Sequence, residues 1–141
     1  MKFDTLEVDS LVLPQAFTVP ESHCWHLLFG HAIFETSAVG GNRRLLVEVT
    51  DEDGHIVSDM HAGAKQGSSS INQYALKQGI GRAATFVDND IELAMPVHCI
   101  MLPGWTLTVL TSEIQDPIGD LITFHMVIRD GSVGEMVREL T

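Results

Sequence analysis

Seven histidines in 141 residues are the first groups here whose type and spacing suggest chemistry. His23, His26 and His31 share one apolar stretch, and metal binding is what such a cluster brings to mind. Strand geometry argues against it. Successive strand side chains point to opposite faces, so His23 and His26, three apart, cannot hold one ion together. His31 shares a face with His23 but lies eight residues on, roughly 25 Å away at strand rise. His98 and His125 reach the cluster only through tertiary pairing. The histidines therefore read as satisfied core or interface groups.

Nucleophilic chemistry fares no better. Cys24 beside His23, and Cys99 beside His98, are strand neighbours whose side chains diverge, so neither imidazole reaches its thiol. Ser68-Ser69-Ser70 is a polar loop with no base in view. The carboxylates cluster in turns, where Asp and Asn do ordinary backbone work. Leu102-Pro103-Gly104-Trp105 superficially resembles a cupin motif, but no histidine follows it and no His-x-His with a downstream glutamate occurs. Thr36 to Arg44 is rich in glycine, yet no helix follows to turn it into an anion cradle. Trp25, Trp105 and Tyr74 offer a sugar-stacking platform, against the more frequent role of such rings in core packing. These readings predict a non-enzymatic protein with no cofactor and no metal centre.

Composition narrows the class further. The chain is 45% hydrophobic and 19% charged, as expected of one folded domain rather than disorder. Its 19 acidic residues outweigh 8 basic ones for a net charge of −11. The basic residues are scattered apart from Arg43-Arg44, so no cationic patch exists for nucleic acid. No apolar run approaches the ~18 residues of a membrane span. The start lacks the basic and apolar regions of a signal peptide, which predicts a cytoplasmic origin. Cys24 and Cys99 read as buried free thiols, bridged only if their strands pair in an oxidising compartment.

The elements that must position these groups are strands. Residues 1 to 10 read as an N-terminal arm or first edge strand, and 11–13 and 16–19, bounded by Pro14 and Pro20, as edge pieces. Residues 22 to 34 form the longest apolar stretch. On strict alternation, Trp25, Leu27, Phe29, His31 and Ile33 share one face, and His26, Leu28, Gly30, Ala32 and Phe34 the other. Leu45, Val47 and Val49 point inward from the next strand, which Asp51-Glu52-Asp53-Gly54 closes as a hairpin. Further strands are expected at 71–76, 83–87, 91–95, 97–102, 105–111 and 122–128, with an acidic loop from Glu113 to Asp120. Residues 131–141 read as a tail or short helix. About eight to ten short strands with frequent turns predict an all-β, antiparallel β-sandwich over residues 11–130, of jelly-roll type.

One resemblance gives this pattern a function. Pro20, the Trp25-bearing strand, the Thr36-Ser37-Ala38-Val39-Gly40-Gly41-Asn42-Arg43-Arg44 turn, Asp51 to Gly54, Met95-Pro96 and Leu102-Pro103-Gly104 follow one another in order. In this, residues 16 to 130 resemble small tailed-phage virion proteins. The chain departs from the group by one extra glycine, Gly40-Gly41 standing where a single Gly precedes Asn. The resemblance implies a jelly-roll structural component that assembles rather than catalyses. It is expected to be a capsid decoration (cement) protein, a homotrimer that clamps neighbouring copies of a major capsid protein in a virion assembled in the host cytoplasm. A tail, head–tail junction or baseplate component, or a carbohydrate-binding module, is the alternative. The expected contact residues are Phe3, Leu6 and Val8 of the arm, with Arg43 and Arg44. The other role for this arginine pair is to bind a nearby carboxylate within the chain.

Overall fold

Period-two burial along the strands divides the chain between two sheets. The computed structural model describes residues 1–81, 83–113 and 116–140, so Ile114 and Gln115 of the acidic loop and Thr141 of the tail lie outside it. The strands are β1 (Lys2–Val12), β2 (Gln15–Thr18), β3 (Cys24–Glu35), β4 (Leu45–Thr50), β5 (Ile56–His61), β6 (Ile71–Gln78), β7 (Asp90–Met95), β8 (Cys99–Met101), β9 (Thr106–Thr111) and β10 (Leu121–Gly131). A helix, α1, spans Val133–Leu140.

The larger sheet runs β1-β10-β3-β6-β7, with β8 pairing the first part of β3. The smaller runs β2-β9-β4-β5. Their inward side chains, among them Phe34, Val47, Leu107 and Phe124, form one dry core between the sheets. The protein is thus mostly β and packs as a sandwich. Part of the pairing is nested, β1 with β10, β2 with β9, β3 with β8 and β4 with β5, while β6 pairs β3 and β7 outside that order.

Two features depart from simple alternation. The first is a parallel pair, β6 with β7, where an all-antiparallel sandwich was expected. Residues 83 to 87 do not make the return strand that the sequence suggested. They loop back along the sheet edge, anchored by the Gly63 N–H on the Ala83 carbonyl at 2.8 Å and by Phe86 edge-on to Tyr74. Asp88 and Asn89, both at positive φ, then turn the chain into β7 in the direction of β6.

The second is a bulge in β3. Val127 pairs Phe29 and Ile128 pairs Leu27, which leaves Leu28 without a partner on β10. One extra residue reverses the parity of everything beyond it. Trp25 and Leu27 point into the core, but so do Ala32 and Phe34, and Phe29, His31 and Ile33 face outward. The two faces expected for this strand are therefore corrected at Leu28. Gly30 follows the bulge at a close crossing, where a Cβ would lie 2.9 Å from the His125 carbonyl oxygen.

Candidate functional site

The glycine-rich turn of residues 36 to 44 is held by a buried ion pair. Arg43 is fully buried and Asp120 nearly so. The Arg43 guanidinium donates to both Asp120 oxygens, from Nε at 3.0 Å and from a terminal nitrogen at 3.1 Å, and to the Gly41 carbonyl at 2.7 Å. Such a fork on a carboxylate fixes direction as well as distance. Asp120 also accepts the Ser37 N–H at 2.9 Å. The backbone of Arg43 exchanges two hydrogen bonds with Gln66, whose side-chain amide donates to the Phe34 carbonyl and accepts from the Tyr74 hydroxyl, both at 2.7 Å. Three loops, 36–44, 62–70 and 116–120, are thereby locked at one end of the sandwich. Burial away from water pushes the Tyr74 phenol above its ordinary range.

The five expected contact residues lie in different surroundings. Arg43 is an internal strut, because its guanidinium is spent on Asp120 and Gly41. Leu6 and Val8 are core residues, since β1 is a strand of the larger sheet and turns them toward Met126 and Phe124. Arg44 is half-buried and reaches the Gly63 carbonyl at 3.3 Å, with its Nε enclosed and unpartnered. Phe3 is 66% exposed, its ring beneath the Arg129 guanidinium at 5.3 Å.

Tertiary pairing sets His125 opposite His31 and the His98 ring near His26, and the imidazoles meet different groups. His23 meets Asp130 at 2.8 Å, His125 meets Asp9 at 3.0 Å and His31 meets Gln73 at 3.1 Å. His26 is buried with Nε2 unpartnered, its ring 5.8 Å from that of His98. Burial, then the charges of His98 and Arg129, lower its pKa. Among the described residues, Asp51, Asp53 and His55 bring ligand atoms within 4.8 Å. Asp51 already serves the hairpin there, accepting the N–H groups of Asp53 and His55 at 2.9 Å each.

Cys24 and Cys99 do lie on paired strands, but the register sets Cys99 opposite Leu27, and both thiols are free and buried. A three-residue offset, about 10 Å along a strand, is too far for a bridge. Burial raises the pKa of both, that of Cys99 to about 11, so neither is a ready nucleophile. Trp25 and Tyr74 are buried in the core and Trp105 is half-buried, so the three rings do not form a sugar platform.

No family model, curated protein or solved structure matches this chain.

The surface that strict alternation hides is the outward face of the larger sheet. Cross-strand partners share a face, so the register brings Phe29 beside Val127 and Ile33 beside Thr123 and Gln73. Phe29 and Ile71 are each 56% exposed. His31 and His125 stand opposite each other at the centre. Carboxylates keep to the margins: Glu7 and Asp9 on β1, Glu35 at the end of β3, and Asp90 and Glu92 on β7. The smaller sheet differs. Its outward positions carry Thr18, Thr50, Thr106 and Thr108 with Glu48 and Asp59, the apolar pair Leu46 with Leu110, and Ile56 beside Thr50, which with its neighbour Val57 is more than half exposed. A groove of about 560 Å³ borders the larger face, between His31, Gln73 and the 83–88 loop.

Proposed function

We propose that the chain is a non-enzymatic structural protein of a tailed-phage virion, a jelly-roll decoration protein that binds as a homotrimer and clamps neighbouring capsomers. The observation that supports this reading is the partly nested strand pairing, first with last and inward to β4 with β5, with β6 and β7 outside it. Winding such a ribbon over two sheets is how a jelly roll is made, an architecture shared by viral capsid and lectin domains. The motif order that resembles virion proteins adds to it, since its pieces fall at the connections of this ribbon. The Thr36–Arg44 turn joins β3 to β4, Asp51 to Gly54 joins β4 to β5, and Leu102-Pro103-Gly104 joins β8 to β9. The buried Arg43–Asp120 pair gives the turn's arginine a structural reason to be there.

The test is co-sedimentation of the purified full chain with mature capsids of its phage, followed by particle imaging. Saturable binding, with density on the outer shell where capsomers meet, is the expected outcome. Density confined to the tail or baseplate would move the protein to that part of the virion. Absence from the particle altogether would remove the reading.

A further inference from the structure

We infer that the groove between β6, β7 and the 83–88 loop receives an arginine or lysine side chain from a segment of a partner protein. The groove exists because residues 83 to 87 loop back beside the sheet instead of pairing with it, which leaves about 560 Å³ between loop and strands. That volume, within the range of ligand clefts, holds a long side chain together with the backbone that carries it.

The floor suits an aliphatic stem. The register sets Ala75 between His31 on β3 and Glu92 on β7, so a methyl group lies where the flanking strands carry long side chains. Ala83 and Val87 line the groove from the loop. The methylenes of lysine or arginine pack on such groups while the charged head stays in a polar setting. His31 and Gln73, hydrogen-bonded at 3.1 Å, complete the floor.

The charges decide the occupant. Asp88, Asp90 and Glu92 line the groove, and among the described residues no lysine or arginine joins them there. Glu92 is matched by Lys77 at 2.7 Å, but Asp88 and Asp90 have no ion-pair partner among the described residues. Asp90 and Glu92, two apart on β7, project to one side about 7 Å from each other. An anion is repelled here, and an apolar group would strip water from the carboxylates without replacing it. No phenyl, phenol or indole ring among the described residues lines the groove for a sugar to stack on. A guanidinium or ammonium satisfies the carboxylates directly. Asp88 sits at a φ of 50°, where glycine is the easier residue, and aspartate there keeps a carboxylate on the groove.

The inference stands apart from the virion reading, since it concerns what the groove holds and not which assembly supplies it. Amide NMR of the isotope-labelled full chain, titrated at low salt with acetyl-Gly-Arg-Arg-Gly-amide, tests it. Saturable shifts confined to the groove, at Ala75, Ala83, Val87 and Glu92, are expected. The acidic counterpart acetyl-Gly-Glu-Glu-Gly-amide should produce none. Asp90→Asn should weaken binding about threefold, the usual scale for one exposed ion pair. Adding Asp88→Asn, which keeps a residue tolerant of positive φ, should bring the loss to about tenfold. Asp59→Asn on β5 removes the same charge from the smaller sheet and should change binding little. Absence of saturable shifts, or shifts spread over the whole acidic surface, overturns the inference. So does an equal loss from Asp59→Asn and Asp90→Asn. Magnesium chloride reproducing the same shifts would make the groove a site for free cations and overturn it too. None of these failures touches capsid binding, and a protein absent from the particle would leave the groove's chemistry standing.

Discussion

Arg43 concentrates the energetics of one end of the molecule in a single side chain. Its charge is fully buried, and Asp120 is the compensating group. Removing one member of such a pair strands the other, which costs about 3–5 kcal/mol. Arg43→Met is therefore expected to lower the stability measured by urea unfolding by that amount. Adding Asp120→Leu should recover part of the loss, because the stranded carboxylate is gone although the Ser37 N–H then lacks its acceptor. Recovery of nothing would show that packing around the substituted side chain, rather than charge, dominates. The arginine doublet was visible in the sequence, and so was the possibility of a carboxylate partner. Which carboxylate was not, because Asp120 lies 77 positions away and comes near only when β10 inserts beside β3.

Among the elements, β3 decides what each face of the larger sheet presents. The Leu28 bulge sends Phe29, His31 and Ile33 outward, and Gly30 lets β10 cross closely just beyond it. Gly30→Ala would press a methyl group against the His125 carbonyl and Met126, an overpacking expected to cost about 1–3 kcal/mol. Thermal and urea unfolding would both register it, and an unchanged midpoint would mean that the strands can part without penalty. The strands themselves were legible from alternation and from Gly and Pro at their ends. The bulge was not, since a bulge has no residue type of its own and is fixed by which neighbour pairs where. The parallel β7 escaped for a similar reason: residues 83 to 87 have strand-like composition, but the edge they would pair with goes to β7 instead. Helix α1 had a signal that periodicity overlooks, the Ser132-x-x-Glu135 capping box. There the Ser132 N–H and Glu135 N–H each donate to the other's side chain at 3.1 Å.

For the molecule as a whole, these groups set how stability responds to acid. The Glu135 carboxyl bonds the Met1 ammonium and the Ser132 N–H, which bring its pKa down to about 2. Asp51, chiefly through the His55 N–H, and Asp116, chiefly through the Ser37 hydroxyl, are also lowered. Carboxylates lowered in the fold stabilise it above their unfolded values of 3.8 to 4.5, and that stabilisation is lost as pH falls. His26 acts earlier. Its folded pKa lies below 6.5, so its share is complete above that pH and declines below it. A melting-temperature profile should thus fall in two stages, gently below about pH 6.5 and steeply near pH 4. His26→Leu should flatten the first stage and spare the second; a profile identical to wild type would exclude His26 as its source. The nested pairing has a consequence in time as well as space. Lys2 ends up beside Asp130, and β10 is the strand that joins β1 to β3. The larger sheet therefore cannot close until β10 has left the ribosome, more than a hundred residues after β1, and until then β1 and β3 lack the strand that joins them.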